Sequence, residues 1–414
     1  MTGEDAPGKG REVSWQWYLD FIQGQAAEVK TSLLDPVFRI PGESGYASFR
    51  VALCSVLAAI ARCLLDDDEI SLKRIATRLK DQGLIQLRDG HDELRAVQLA
   101  FQMTGWLTAL WDPLGADGSL SWLELKPPKH PLRRPRGRHV PVVRERKLPT
   151  LDVASEPLYR TAGRFGNLVP TSDLRLDDDI LGSRDVESAC VTTAYVSYHS
   201  LKDIVNVNLE WTGILGQHLE YDQRQKALYV FKYPSICMLL YRQESKTLLS
   251  EMFRKYQLGL DGTDSYAGYE KPDFEDYLRG VLLSYRLIFA LDRRSRRGIE
   301  KKLGEMERCD PLLKTLCTVR EKSEEIKTVY DKLDAEGLGN ENYVSIADFP
   351  FLEKRLIKLQ RVNIDRNPHS FRRLWNDRRN PGAWFAMWAV LIVGGLTLVF
   401  QLGQLVFQIY PPFQ

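Results

Sequence analysis

The stretch from Trp384 to Phe400, WFAMWAVLIVGGLTLVF, decides how this chain is organised. It is apolar apart from Thr397 and two glycines, and no charged side chain occurs from Asn380 to Gln414. A helix crossing the hydrocarbon core of a bilayer needs about 20 predominantly apolar residues, each rising about 1.5 Å. The run is long enough. A core helix of a soluble protein that is apolar all round seldom stays free of charge so far past one span. The pattern predicts a single transmembrane helix over 383–410.

Its flanks agree. Trp384, Phe385 and Trp388 gather at one end, and Phe407 and Tyr410 at the other, as interfacial aromatic belts do. Upstream, in and beside a basic neck over 366–382, Arg366, Arg372, Arg373, Arg378 and Arg379 outnumber Asp365 and Asp377. Arg372, Arg373, Arg378 and Arg379 thus determine the expected topology: positive residues stay inside, which puts the N-terminal bulk in the cytosol. So few residues follow the helix that single-pass, tail-anchored insertion is expected. The lack of basic residues after it favours the endoplasmic reticulum over the mitochondrial outer membrane. Gln401, Gln404 and Gln408 recur at i, i+3 and i+7. Amides on such a face hydrogen-bond between helices in lipid, so a homo-oligomer through this face is one reading. Contact with the far headgroups is the other.

The remainder has globular composition. With 414 residues, 44% hydrophobic, 27% charged and a net charge of +2, the chain has room for about two or three domains. It is neither globally basic nor acidic, so an electrostatic partner would need a local patch. Cys54, Cys63, Cys190, Cys237, Cys309 and Cys317 form no C-x-x-C and read as reduced, mostly buried thiols. MTGEDAPGKG at the N-terminus lacks a signal-peptide pattern.

Upstream of the anchor, 1–13 reads as disordered and 14–125 as helical. A first helix is expected from Ser14, carrying Trp15, Trp17, Tyr18, Phe21 and Ile22, and a core helix over Phe49–Leu65. A third is expected to open at Asp66-Asp67-Asp68-Glu69 and end at Gly83, and a fourth to run from Asp92 to Trp111. Residues 126–187 form a Pro/Arg-rich basic linker and polar loops, with nine lysines and arginines in 126–149. Residues 188–365 are mixed α/β and then helical. Val205–Trp211 alternates strictly, predicting a half-buried strand, and Ala227–Tyr233 predicts a second. A helix over Asp273–Arg297 is expected to end in Arg293-Arg294-Ser295-Arg296-Arg297, where the cations would favour a helix C-terminus. Charged helices are expected over 310–333 and 347–362. The expected class is mainly α with a small β element: a cytosolic helical body plus one C-terminal transmembrane helix.

Chemistry-bearing motifs are sparse. Gly3 to Lys9 matches G-x-x-x-x-G-K, but Gly10 stands where a P-loop needs Ser or Thr. Asp334 to Ser345 echoes an EF-hand loop without its closing Glu. Ile70 to Ile85 has helix-turn-helix character followed by an acidic segment, where a recognition helix would be basic. His91, His130, His139, His199, His218 and His369 show no metal-ligand spacing. His218 and Asp222, at i and i+4, read either as an oriented base or as local hydrogen-bonding groups.

Three stretches resemble a large group of uncharacterised proteins from filamentous fungi. They are Trp211-Thr212 with Leu215, His218-Leu219, Tyr221-Asp222 and Leu228 to Phe231; Val281 to Arg286; and Leu374 to Pro381 with the Trp-rich helix after it. The resemblance covers the C-terminal half. It implies the single-helix topology and brings no activity or cofactor.

The expected function is therefore a non-catalytic, membrane-anchored interaction or adaptor protein with no cofactor and no metal. Its partners would be the lipid bilayer, a protein and, through Gln401, Gln404 and Gln408, a second copy. One rival is an anchored enzyme with a site near His218. Another is a binder of nucleic acid or anionic lipid through Arg133, Arg134, Arg136 and Arg138.

Overall fold

The computed structural model describes residues 22, 24, 46–67, 69–86, 90–114, 120–125, 147–165, 190–241, 247, 249–251, 253–254, 273–304, 310–318, 342–344, 348–365 and 381–409. The expected disordered N-terminus, most of the first helix, the basic segment 126–146 and the neck from 366 to 380 lie outside them.

Three helices build the N-terminal unit: α1 (Tyr46–Asp66), α2 (Leu72–Asp81) and α3 (Gly90–Thr108). α1 buries Leu53, Val56, Leu57, Ile60, Cys63 and Leu64. The opposite stripe, Val51, Cys54, Ala58 and Leu65, faces outward. The helix is therefore half core and half surface, and Cys54 is an exposed thiol, unlike the buried Cys63. The acidic run 66–69 does not open α2. Ser71 does: it is extended, bridges to Pro157, and its Oγ accepts from Arg74 N at 3.3 Å. Asp67 stays outside the helix and pairs with Arg74 and Arg78 at 3.1 and 3.2 Å. Gly83, at φ +69, ends the turn after α2.

The span 126–187 is not all linker. Within it, the strand β2 (Lys147–Pro149) pairs antiparallel with β1 (Trp122–Glu124). A helical turn at Thr150–Val153 and α4 (Leu158–Arg164) follow, burying Leu148, Val153, Leu158, Ala162 and Phe165. Gln98 on α3 ties this hairpin down through Trp122 O at 2.7 Å.

The second unit surrounds a three-stranded sheet. β3 (Cys190–Thr192) pairs with β7 (Asn342–Val344), while β4 (Asn208–Thr212), β5 (Tyr221–Asp222) and β6 (Ala227–Phe231) form a sheet in the order β4-β6-β5. β4 runs parallel to β6, and β5 antiparallel to it. The alternation read from Val205 onward starts late, because Leu201–Val205 forms a π-helical turn and Asn206 reverses the chain at φ +63. Helices cover the sheet: α5 (Pro234–Tyr241), α6 (Phe274–Tyr285), α7 (Arg293–Leu303), α8 (Pro311–Thr318) and α9 (Glu353–Ile364).

The arginine cluster 293–297 is a helix start, not a helix end. α6 runs into a π-helical turn, Arg286–Ala290, and the chain restarts at Asp292, which accepts from Ser295 N at 2.8 Å. The cap overrides the unfavourable placement of cations in a first turn. Of the expected helix over 310–333, only Pro311–Thr318 is described.

The two units join where α3 ends. Ala109 adopts φ +50 and its carbonyl accepts from Leu215 N at 3.1 Å. One turn earlier, a Cβ on Gly105 would stand 2.5 Å from Trp111 Nε1 and 2.9 Å from Trp111 O. Trp111 cannot retreat, since its Nε1 donates to Phe101 O at 3.1 Å and its ring stacks on Phe101. Last among the described elements, α10 (Pro381–Ile409) is apolar and, where its side chains are described, exposed apart from the half-buried Met387, Trp388 and Gly403.

Two outcomes follow for stability, measured by urea unfolding of the full chain in detergent micelles. Gly105→Ala should destabilise by about 1–3 kcal/mol through overpacking. Gln102, fully buried on α3 with neither amide atom paired among the described residues, should behave oppositely. Gln102→Met should stabilise by about 1–3 kcal/mol, because it removes two buried polar groups that lack partners.

Candidate functional site: an apolar helix and a histidine locked in the core

α10 has 29 residues and is therefore about 44 Å long, more than the roughly 30 Å hydrocarbon core. Within it, Phe385–Leu405 is long and apolar enough to cross a membrane, and none of it is buried inside the body. Trp384 is helical, Trp388 is half-buried, and Gln401 and Gln404 are exposed. Thr397 returns its hydroxyl to Val393 O at 2.8 Å, so this polar group is satisfied within its own helix. Tyr410, the topology arginines Arg372, Arg373, Arg378 and Arg379, and the basic-patch arginines Arg133, Arg134, Arg136 and Arg138 lie outside the described residues.

His218 sits at the centre of the second unit with no exposure. The three residues Leu215–Gln217 form a single 3-10 turn after β4, and Leu219 at φ +61 turns the chain again, so the imidazole is delivered beneath β6. Phe231 N donates to His218 Nδ1 at 3.2 Å. Nδ1 therefore holds a lone pair and Nε2 holds the proton. Nε2 lies 2.7 Å from Ser284 Oγ, whose own proton goes to Val281 O at 2.6 Å. Burial first, and the nearby Arg355 second, push the imidazole down to about 3.

A serine–histidine pair of this kind has the opposite polarity to a nucleophile and its base. A base must accept the hydroxyl proton; here the imidazole donates to Ser284 and both ring nitrogens are committed. Asp222 does not orient the ring. Its carboxylate caps the β5–β6 turn, accepting from Arg224 N at 2.8 Å and Gln225 N at 3.2 Å. His218 is thus a positioned structural group that ties β6 to α6.

Around it, side chains take up the carbonyls that the short strands leave over. Tyr277 Oη donates to Leu215 O at 2.8 Å, Arg355 Nη1 to Gly216 O at 2.8 Å and also to His218 O, and Tyr285 Oη to Phe231 O. Lys302 Nζ reaches Leu209 O at 3.1 Å. Burial drives the Tyr277 and Tyr285 hydroxyls well above their usual range, so both remain protonated donors.

A second buried polar centre closes the other side. Asp310 is 2% exposed and accepts from Ser235 Oγ at 2.6 Å, Ser235 N at 2.8 Å and Leu312 N at 2.8 Å. It holds the start of α8 to the start of α5. Burial outweighs these donors and pushes its carboxyl up to about 6. Burial also raises the neighbouring Cys237 and Cys317 thiols, which leaves them unreactive. His199 lies at the rim, with Nδ1 3.1 Å from Asp203 and Nε2 3.2 Å from Arg294. Among the described residues no three His, Cys, Asp or Glu side chains converge as metal ligands.

Sequence reading named His218 but missed Ser284 and Arg355 as its partners. They lie 66 and 137 residues away, and no local spacing carries such a signal. No protein-family model, curated protein or solved structure matches the chain.

The two buried centres give stability a pH signature of opposite sign. The unfolded imidazole binds a proton near 6.5 while the folded one resists until about 3. The stability it contributes is present above 6.5 and is lost as pH falls, by about 5 kcal/mol in all. Asp310, raised from 3.8 to about 6, contributes stability when protonated and loses about 3 kcal/mol of it as pH rises across that window. The penalty of His218→Gln should therefore shrink on acidification from pH 6.5 to 3, and that of Asp310→Asn should grow from pH 6 to 3.8. Urea unfolding of each variant against the parent across pH checks both signs.

Proposed function

We propose that this chain is a single-pass membrane protein whose helical body, held at the cytosolic face of a bilayer, docks a protein partner. One observation carries the reading: two helix surfaces stand exposed in apolar residues without a place in the body. On α10, Phe385 is 64% exposed and Phe400 70%, and most of the 21-residue span is exposed as well, with no residue of it buried. At roughly 25 cal/mol per Å² of apolar surface, such a helix is stable only in an apolar medium. The basic neck read from the sequence supports a cytosolic body, and a tail-anchored topology at the endoplasmic reticulum is the finer form of this proposal.

The second surface is the outer stripe of α1, where Val51 is 69% exposed and Leu65 55%, with Cys54 and Ala58 between them. An apolar stripe with a polar border, here the exposed Ser55 and Arg62, marks an interaction face on a water-facing helix. The commitment of His218 and Ser284 to the core speaks against the rival enzyme reading at that position.

Two measurements test this. Full chain and a chain truncated after Arg379 should part in carbonate extraction, the first staying with membranes and the second soluble, with an N-terminal tag on intact membranes digested by protease. Free extraction of the full chain would overturn the anchor, and a protected tag the orientation. A photo-crosslinker at Val51 should yield a discrete protein adduct on native membranes, whereas one at the exposed Lys80 should not. Equal yields, or none at Val51, would sink the docking face.

A further inference from the structure

The polar side chains of α10 follow a register that its apolar ones do not. Counting back from Gln408, the steps to Gln404, Gln401, Thr397, Gly394 and Val390 are 4, 3, 4, 3 and 4 residues. At about 100° per residue these positions share an arc of about 80°, with Ile392, Leu396 and Val399 on the far side. Alternating steps of three and four average 3.5, the period of a left-handed coiled-coil seam. Every Thr and Gln of the helix lies on this seam.

Depth decides what those amides need. The span Phe385–Leu405 is centred on Gly395. Gln401, six residues on, lies about 9 Å from the midplane, and Gln404 about 14 Å, against a half-thickness of about 15 Å. Both are exposed, and neither amide has a hydrogen-bond partner among the described residues. An amide at the depth of Gln401 meets hydrocarbon unless another helix pairs with it. Thr397 has met its own need within the helix; Gln401 has not.

We infer that α10 self-associates through this seam, in parallel, with a second copy of the chain as its occupant. The inference rests on the membrane-spanning reading above. A second copy is favoured because an amide both donates and accepts, so identical amides satisfy one another across a twofold axis. Copies inserted in one direction also bring Gln401 to Gln401 at equal depth. Gly394 permits close approach of the backbones, and the amide fixes the register, as polar residues in such seams do.

The test uses the full chain in phosphatidylcholine vesicles. Single substitutions Val390→Cys, Thr397→Cys and Gln404→Cys should give covalent dimers under mild oxidation beyond the level of the parent chain. Ile392→Cys, Leu396→Cys and Val399→Cys should not. Energy transfer between labelled copies should weaken about three- to thirtyfold in Gln401→Leu and stay unchanged in Val399→Leu. Carbonate extraction of the same vesicles separates the two ideas. A chain that extracts overturns both. An integral chain that stays monomeric, or cross-links without the 3.5-residue period, overturns self-association alone.

Discussion

A sheet of three short strands cannot satisfy its own backbone, and the second unit is built around that shortage. β4, β5 and β6 have five, two and five residues, so their ends and connecting turns leave carbonyls inside the protein. Each buried polar group without a partner costs about 1–3 kcal/mol, and a whole domain is stable by only about 5–15 kcal/mol. Two or three such losses would rival the net stability. Tyr277, Tyr285, Arg355 and Lys302 reach in from α6, α9 and α7 to supply the missing donors. Those reaches determine how the covering helices sit.

His218 belongs to this economy of donors. A neutral imidazole offers one donor and one acceptor, and here the acceptor serves a strand amide while the donor serves a helix hydroxyl. A lysine or carboxylate in the same place would bury a charge. The depressed basicity of His218 is thus the consequence of a structural task. The same burial pushes Asp310 in the other direction, and the two centres respond to acid with opposite signs.

α10, long and apolar enough to cross a membrane, answers the backbone problem differently. A helix pairs its own amides and carbonyls within the segment, so it needs no help from side chains in lipid. The polar groups left over there are the glutamines of one seam, which is why an inference about partners begins with them. The body has the converse pattern: among the described residues most buried polar groups are paired internally, Gln102 being an exception, and the apolar stripe Val51, Cys54, Ala58 and Leu65 faces outward.

Features governed by neighbours in sequence were legible before any coordinates. The apolar run 384–400 announces its helix, the periodicity of Ile75 and Leu79 announces α2, and the alternation through Leu209 and Trp211 announces β4. Local competition was harder to read: the acidic run at 66–69 lost the helix start to Ser71, and Arg293 to Arg297 opened a helix because Asp292 caps it. Long-range pairing was not legible at all. That β4 lies parallel to β6, that Ala109 hands its carbonyl to Leu215, and that His218 meets Ser284 and Arg355 depends on groups up to 137 residues apart. The sequence by itself determined which segment is apolar enough to cross a membrane, because hydropathy sums over adjacent residues. Only the tertiary structure decided which polar groups are spent, because a hydrogen bond is a matter of distance in space and leaves no period in the chain.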